Sequence, residues 1–211
     1  MTKAETGWRG SPDIWIDIAY DTLISRGVEA VRIQPLAKQL HLSRTSFYWF
    51  FKDRDALLEA LIQRWREKNT GNLIQQTHEY AETITEGVLN LFDCWLDKHL
   101  FDDAFEFAMR NWALQCDQVK QDIEEADQRR LAAIRQMFER HGFSQCEADI
   151  RARTIYLTQI GYVSMRTHES LEVRMARIPE YIKVFTGSSA SDSQLNRFYH
   201  RHNYLQKTVS C

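Results

Sequence analysis

Apolar residues return at intervals of three and four along most of this chain, the spacing that gathers them on one face of an α-helix. Ser11-Pro12-Asp13 reads as a helix start, because serine can cap, proline suits the first helical position and aspartate suits the positive end of the helix dipole. Ile14, Trp15, Ile18, Ala19 and Leu23 then share a face, and Gly27 is the expected C-cap. A short second helix is predicted from Pro35, with Leu36, Ala37 and Leu40 inward, stopping near His41-Leu42. Ser43 can cap a third helix that opens with Arg44-Thr45-Ser46. Asp53 can cap a fourth, with Leu57, Leu58, Leu61, Ile62 and Trp65 along one side.

Asn69-Thr70-Gly71-Asn72 is the best candidate for a break between domains. Beyond it the pattern predicts helices over roughly 74–98, 102–115, 117–141, 146–167, 169–185 and 192–206. Phe101-Asp102, Cys116-Asp117, Gly142 and Gly187-Ser188-Ser189 punctuate them, and Pro179 is expected to kink or divide the helix that holds it. No alternating strand pattern competes. There are three prolines, none between Pro35 and Pro179, which argues against a turn-rich β protein. The expected fold is all-α: a helix-turn-helix module over 1–53, a connecting helix and break over 54–72, and a helical bundle over 73–211.

Charge adds one asymmetry. Residues 1–68 carry 11 Lys+Arg against 9 Asp+Glu, while 69–211 carry 16 against 20. The sign suits a nucleic-acid module at the N-terminal end, although a difference this small does not establish one. The four cysteines, Cys94, Cys116, Cys146 and Cys211, are widely spaced without a CxxC pair. They predict neither a zinc site nor a disulfide framework, and suit a reduced, cytoplasmic compartment. The first ten residues lack the apolar core of a signal peptide, and no apolar run approaches the length of a membrane span. No nucleophile–base spacing suggests an enzyme, and no metal or cofactor is expected. His200-Arg201-His202 places its two imidazoles on different sides of a helix.

The chemistry concentrates in the second and third helices. Two short helices joined by a few residues and packed on a longer first helix make a helix-turn-helix unit. Its second helix must carry small or polar residues at its N-terminal end to reach DNA, and an apolar face to dock. Arg44, Thr45 and Ser46, following the cap Ser43, supply the polar end; Phe47 and Phe51 supply the anchor. Tyr48, Trp49 and Lys52 fall where phosphate contacts are expected, and Arg32 and Gln34 precede the second helix at positions that often meet phosphate.

The run Gly27 to Ala37, followed by Leu42 to Leu58, resembles the DNA-binding domain of the tetracycline-repressor (TetR) family, in the branch that reads T-R-G-S-F-Y-W-H-F-x-D-R-D-A-L-L. The match covers about 45 residues with almost no gaps. Weaker similarity to that branch runs through Phe105–Ala113, Ala148–Tyr156 and Tyr181–Gly187. Two positions depart from the pattern: Thr45 stands for glycine and Phe50 for histidine. Threonine adds bulk where the backbone approaches DNA, and phenylalanine cannot donate to a phosphate, so the operator of relatives does not carry over. The resemblance implies a homodimer on palindromic double-stranded DNA, its two recognition helices about 34–36 Å apart. It implies release by a small-molecule effector bound in the C-terminal domain, which requires unequal affinity for the two states.

In that domain Trp95, Phe105, Met109, Trp112, Tyr156 and Ile160 are candidate pocket residues, although for any single one of them a place in the core is the expected reading. Tyr162 shares the ambiguity, and Arg110 needs an acidic partner, such as Asp127, if buried. Ile150, Thr154, Leu157 and Gly161 form a stripe, including small residues, that suits a four-helix dimer interface or an internal seam. Two other functions stay open: a ligand-independent, chromosome-organising DNA binder of the same fold, and an all-helical carrier or enzyme.

Overall fold

The computed structural model describes residues 10–204. The stretch read for a leader segment, Cys211 and the end of the helix expected over 192–206 lie largely or wholly outside the described residues. Among the described residues all regular elements are helical, as the periodicity implies. The helices are α1 (Pro12–Arg26), α2 (Ile33–Gln39), α3 (Arg44–Phe47), α4 (Arg54–Trp65), α5 (Asn72–His78), α6 (Ile84–Leu96), α7 (Asp103–Ala113), α8 (Asp117–Arg140), α9 (Gln145–Ser164), α10 (Leu171–Thr186) and α11 (Asp192–Arg201). The described residues fall into two compact units: one runs to Arg66 and includes Ala104–Ile123, the other comprises Glu67–Asp103 and Glu124 onward.

In the first unit α1 buries Trp15, Ala19, Thr22 and Leu23, and α4 buries Leu57, Leu58, Leu61, Ile62 and Trp65. Phe47 of α3 is fully buried, edge-on to Trp15 at 5.3 Å and stacked on Phe51 at 5.4 Å. Asp53 caps α4 through the Ala56 amide. Ser11 has the extended backbone of a cap but makes no side-chain capping bond, so proline at the next position carries that helix start. The α2 end closes by a Schellman arrangement, with His41 N–H donating to Lys38 O and Leu42 N–H to Ala37 O. His41 holds φ 54° there, a left-handed conformation usually left to glycine. Within this unit Glu106 of α7 is fully buried. It accepts from Trp65 Nε1 at 2.7 Å and pairs with Arg110 at 2.9 Å, so Arg110 meets a carboxylate one turn before it.

The break expected at 69–72 is a π-helical segment, Arg66–Gly71, that runs from α4 into α5. Poor helix formers are held there by buried hydrogen bonds. Asn69 Nδ2 donates to Asp102 O at 3.0 Å and Asp102 N–H returns a bond to Asn69 Oδ1 at 2.9 Å. Conversely, the single helix expected over 74–98 is two, because Thr83 caps α6 through the Glu86 amide. Pro179 lies inside α10 without dividing it; Met175, Ile178, Ile182 and Phe185 bury its inner face on both sides of the proline.

The second unit's core joins Val88, Leu91 and Phe92 of α6 to Ile134, Met137 and Phe138 of α8, Ala152 and Ile155 of α9, Met175, Ile178 and Ile182 of α10, and Phe198 of α11. A polar chain runs through it. Arg130, fully buried, donates to Thr70 Oγ1 and to Tyr156 OH, each at 2.9 Å, and the Tyr156 hydroxyl donates to Asp127 at 2.6 Å. A buried guanidinium is tolerable only when its donors are satisfied in this way. Cys94 is buried beside this core, and burial first, then the charge of Asp93, pushes its thiol up to about 12.

Candidate nucleic-acid interface and ligand cavity

Ser43 fixes the start of α3. Its Oγ accepts from the Ser46 amide at 3.2 Å and lies 3.1 Å from the Ser46 hydroxyl. Ser46 is itself buried, whereas Arg44 and Thr45 are exposed at the helix start. The buried Phe47 orients the next turn, where Tyr48 is 49% and Trp49 62% exposed. The two follow directly on Phe47, the anchor that holds α3 in place, and so form one adjacent pair of exposed aromatics beside the polar helix start. Lys52 follows, also exposed.

Around α2, an open groove of about 580 Å³ is lined by Arg32, Ile33, Gln34, Pro35, Lys38 and Arg44. Three of these six are cations, so the groove has the charge of a phosphate-facing surface. Lys38 was not among the sequence candidates, although it stands one helical turn after Gln34 on the same face. Arg54 braces the groove from behind: its Nε donates to Val31 O at 2.6 Å and Nη2 to Val28 O at 2.8 Å, which sets the loop entering α2. Its role was visible only as part of the D-R-D run.

Residues 16–61 match the family model for bacterial regulatory proteins of the tetR family. The helix-turn-helix segment is thus similar to the N-terminal domain of that family. Over most of the chain the fold is also that of solved structures. Salmonella enterica GusR aligns with a TM-score of 0.57 at 13% identity, over 91% of this chain and 93% of that one. A protein of Mesorhizobium loti MAFF303099, described as a TetR-family transcriptional regulator, aligns with a TM-score of 0.59 at 14% identity, over 90% and 95%. A comparison with curated proteins returned no match. Among the described residues no helix is long and apolar enough to cross a membrane, and no three His, Cys, Asp or Glu side chains are placed to hold a metal.

The second unit carries a cavity of about 240 Å³ bounded by α6, α9 and α10 and the segments after α6 and α9. Trp95, Leu96, Phe101 and Val163 give it apolar walls; Gln159, Tyr162, Glu169 and Arg174 give it polar ones. A smaller space of about 20 Å³ adjoins it, sharing Leu96, Gln159, Tyr162, Glu169 and Arg174 and reaching Arg177 and Tyr181. The Tyr162 and Tyr181 hydroxyls lie 2.9 Å apart, and this bond, followed by burial, raises the Tyr181 pKa. Burial lowers the pKa of Arg174, opposed by Tyr162, Asp103 and Glu169. Glu169 Oε1 pairs with Arg177 at 2.5 Å.

Of the six pocket candidates, Trp95 lines this cavity. Tyr156 belongs to the Arg130 chain, and Ile160 packs on the core. Phe105, Met109 and Trp112 are buried in α7, in the other unit. Gln159, Glu169 and Arg174 were missed, since one glutamine, one glutamate and one arginine on separate faces carry no local pattern. The α9 stripe lies at the surface: Ile150 is 61% and Leu157 59% exposed, Thr154 is exposed, and a Cβ built on Gly161 would meet nothing within 4 Å.

Proposed function

We propose that this chain is a ligand-responsive transcriptional repressor, a homodimer that binds a palindromic operator and is released by a small molecule. The observation that carries the reading is the partly enclosed cavity of the second unit, with apolar walls and polar groups, in a chain whose residues 16–61 match the tetR-family model. Small-molecule sites have this composition. On this reading Arg32, Gln34, Ser43, Lys52 and the added Lys38 position the protein on phosphates. Arg44 and Thr45 reach base edges and phosphates in the major groove from the start of α3, which buried Ser46 fixes through Ser43, and Tyr48 and Trp49 meet the flanking phosphates.

Dimerisation is assigned to the α9 face. Ile150 and Leu157 are large apolar residues at the surface, and Gly161 has no intramolecular need for its missing side chain. Small residues beside exposed aliphatics permit close helix approach across a two-fold axis. The cavity is the effector site, and the ligand acts through its unequal affinity for DNA-bound and released states.

A reporter gene placed behind a genomic fragment bound by the protein tests this. Co-expression of the chain is expected to lower reporter output. Unchanged output from every bound fragment contradicts a regulatory role, and increased output contradicts repression.

A further inference from the structure

Gln159 is only 7% exposed, lines both the main cavity and its smaller neighbour, and its amide makes no hydrogen bond among the described residues. The amide opens onto the cavity, so its partners there come from water or from a ligand. Arg174, on α10, shares both spaces, and its guanidinium likewise forms no hydrogen bond or ion pair among the described residues. These two groups face one cavity from two helices, and both lack an acceptor.

The remaining charges define what can fill that lack. Glu169 is one acid on the wall, but its Oε1 is taken by Arg177 and its Oε2 is buried without a partner. Asp103 is the other acid on the wall; Lys98 stands at the rim beside the exposed Thr167 and His168. With Glu169 matched by Arg177, the cations Arg174 and Lys98 outnumber Asp103. A guanidinium offers five donors and no acceptor, in a planar fork that fits a carboxylate at two points. Opposite the polar groups, Trp95, Leu96, Phe101 and Val163 leave an apolar wall without hydrogen-bonding demands. A volume of about 240 Å³ holds a small molecule. A phosphate dianion would bring more charge than this wall can match with Asp103 and Glu169 present.

We propose that the effector is a small carboxylic acid with an apolar body: Arg174 receives the carboxylate, the Gln159 amide donates to it, and Trp95, Leu96 and Phe101 cover the body. The assignment rests on reading this cavity as the effector site. A neutral or cationic molecule of the same shape leaves the guanidinium unpaired, and the site discriminates against it for that reason.

The test uses the full chain and three matched probes: phenylpropionate, phenylpropionamide and phenylpropylamine. Binding is followed by titration calorimetry and by tryptophan fluorescence, which Trp95 reports from the cavity wall. The acid is expected to bind at least about tenfold more tightly than the amide or the amine. Arg174→Met and Gln159→Glu are expected to remove that preference, and Arg174→Lys to retain part of it. Thermal melting identifies a variant that fails to fold, in which case the wild-type probe ranking decides alone. Equal binding of acid and amide, preference for the amine, or no binding of any probe overturns the assignment. Release of a bound DNA fragment is measured separately. If the amide or amine releases DNA and the acid does not, the carboxylate assignment fails and the effector reading stands. If the acid binds through Arg174 and DNA stays bound, the effector reading fails and the cavity chemistry stands.

Discussion

The two units display their function-bearing residues in opposite ways. In the first unit the candidate DNA surface comes from 21 consecutive residues, Arg32 to Lys52, and is set out by a buried anchor, Phe47, with exposed Tyr48 and Trp49 beside it. In the second unit the cavity draws on residues from Phe92 to Tyr181, supplied by α6, α9 and α10. Its polar groups are sheltered: Gln159 is buried and Arg174 half-buried. DNA is a large, uniformly charged partner that can be met by a local, protruding turn. A small molecule must be surrounded, and only packing of distant segments makes a concavity.

The sharpest way to break this contrast is at the anchor. Phe47→Ala removes a fully buried ring that touches Trp15 and Phe51. A loss of about 3–5 kcal/mol is expected, seen as a lower midpoint in chemical denaturation together with loss of DNA binding. A variant of normal stability would mean that α3 is not held by this contact.

Next in size is the α9 face. Leu157→Glu puts a charge on an exposed position, so a monomer would tolerate it within about 0.5 kcal/mol. A dimer joined through that face would dissociate with a constant raised about thirtyfold or more. Sedimentation velocity across a concentration series separates the two, and an unchanged dimer rules the face out.

Arg44→Ala acts on the exposed end of α3 and leaves its core untouched. Affinity for a bound DNA fragment is expected to fall about tenfold, and the salt slope by about one, with the melting temperature preserved. An unchanged slope would mean that Arg44 does not reach phosphate.

The smallest effect concerns the two thiols that differ most in setting, Cys94 and Cys146. Burial raises the Cys94 pKa to about 12 from an ordinary 9.0, while Cys146 is exposed. At pH 8 a thiol reagent is expected to modify Cys146 and spare Cys94, as peptide mapping would show. Because the folded value is the higher one, the thiol's contribution to stability is complete below pH 9.0 and is lost as the pH climbs toward 12. A wild-type melting temperature that falls faster over that range than in Cys94→Ala is the expected sign.

The contrast also explains what was legible in the sequence. Caps at Ser43 and Asp53 and the inward face of α4 are consequences of residues within a few positions of one another, and the structure has them as the pattern implies. The change of unit near Asn69–Asn72 falls between Arg66 and Glu67, but the π-helical course of Arg66–Gly71 was not legible because its support, Asp102, lies 33 residues from Asn69. The split between α5 and α6 was missed because Thr83 sits in a run whose apolar spacing hardly changes. Gln159 and Arg174 gave no signal for the same reason as the π segment: their meaning is the company they keep across helices. Trp95 was found by its size alone, which marked equally Phe105 and Met109 in the other unit's core.

The central claim, that the N-terminal unit reads specific DNA, is tested most directly by selecting genomic fragments on the purified protein across a salt series. The account predicts a few fragments with two-fold symmetric sites that stay bound at physiological salt. Weak, sequence-indifferent binding that disappears with modest salt would contradict it, leaving only phosphate electrostatics to explain the interaction.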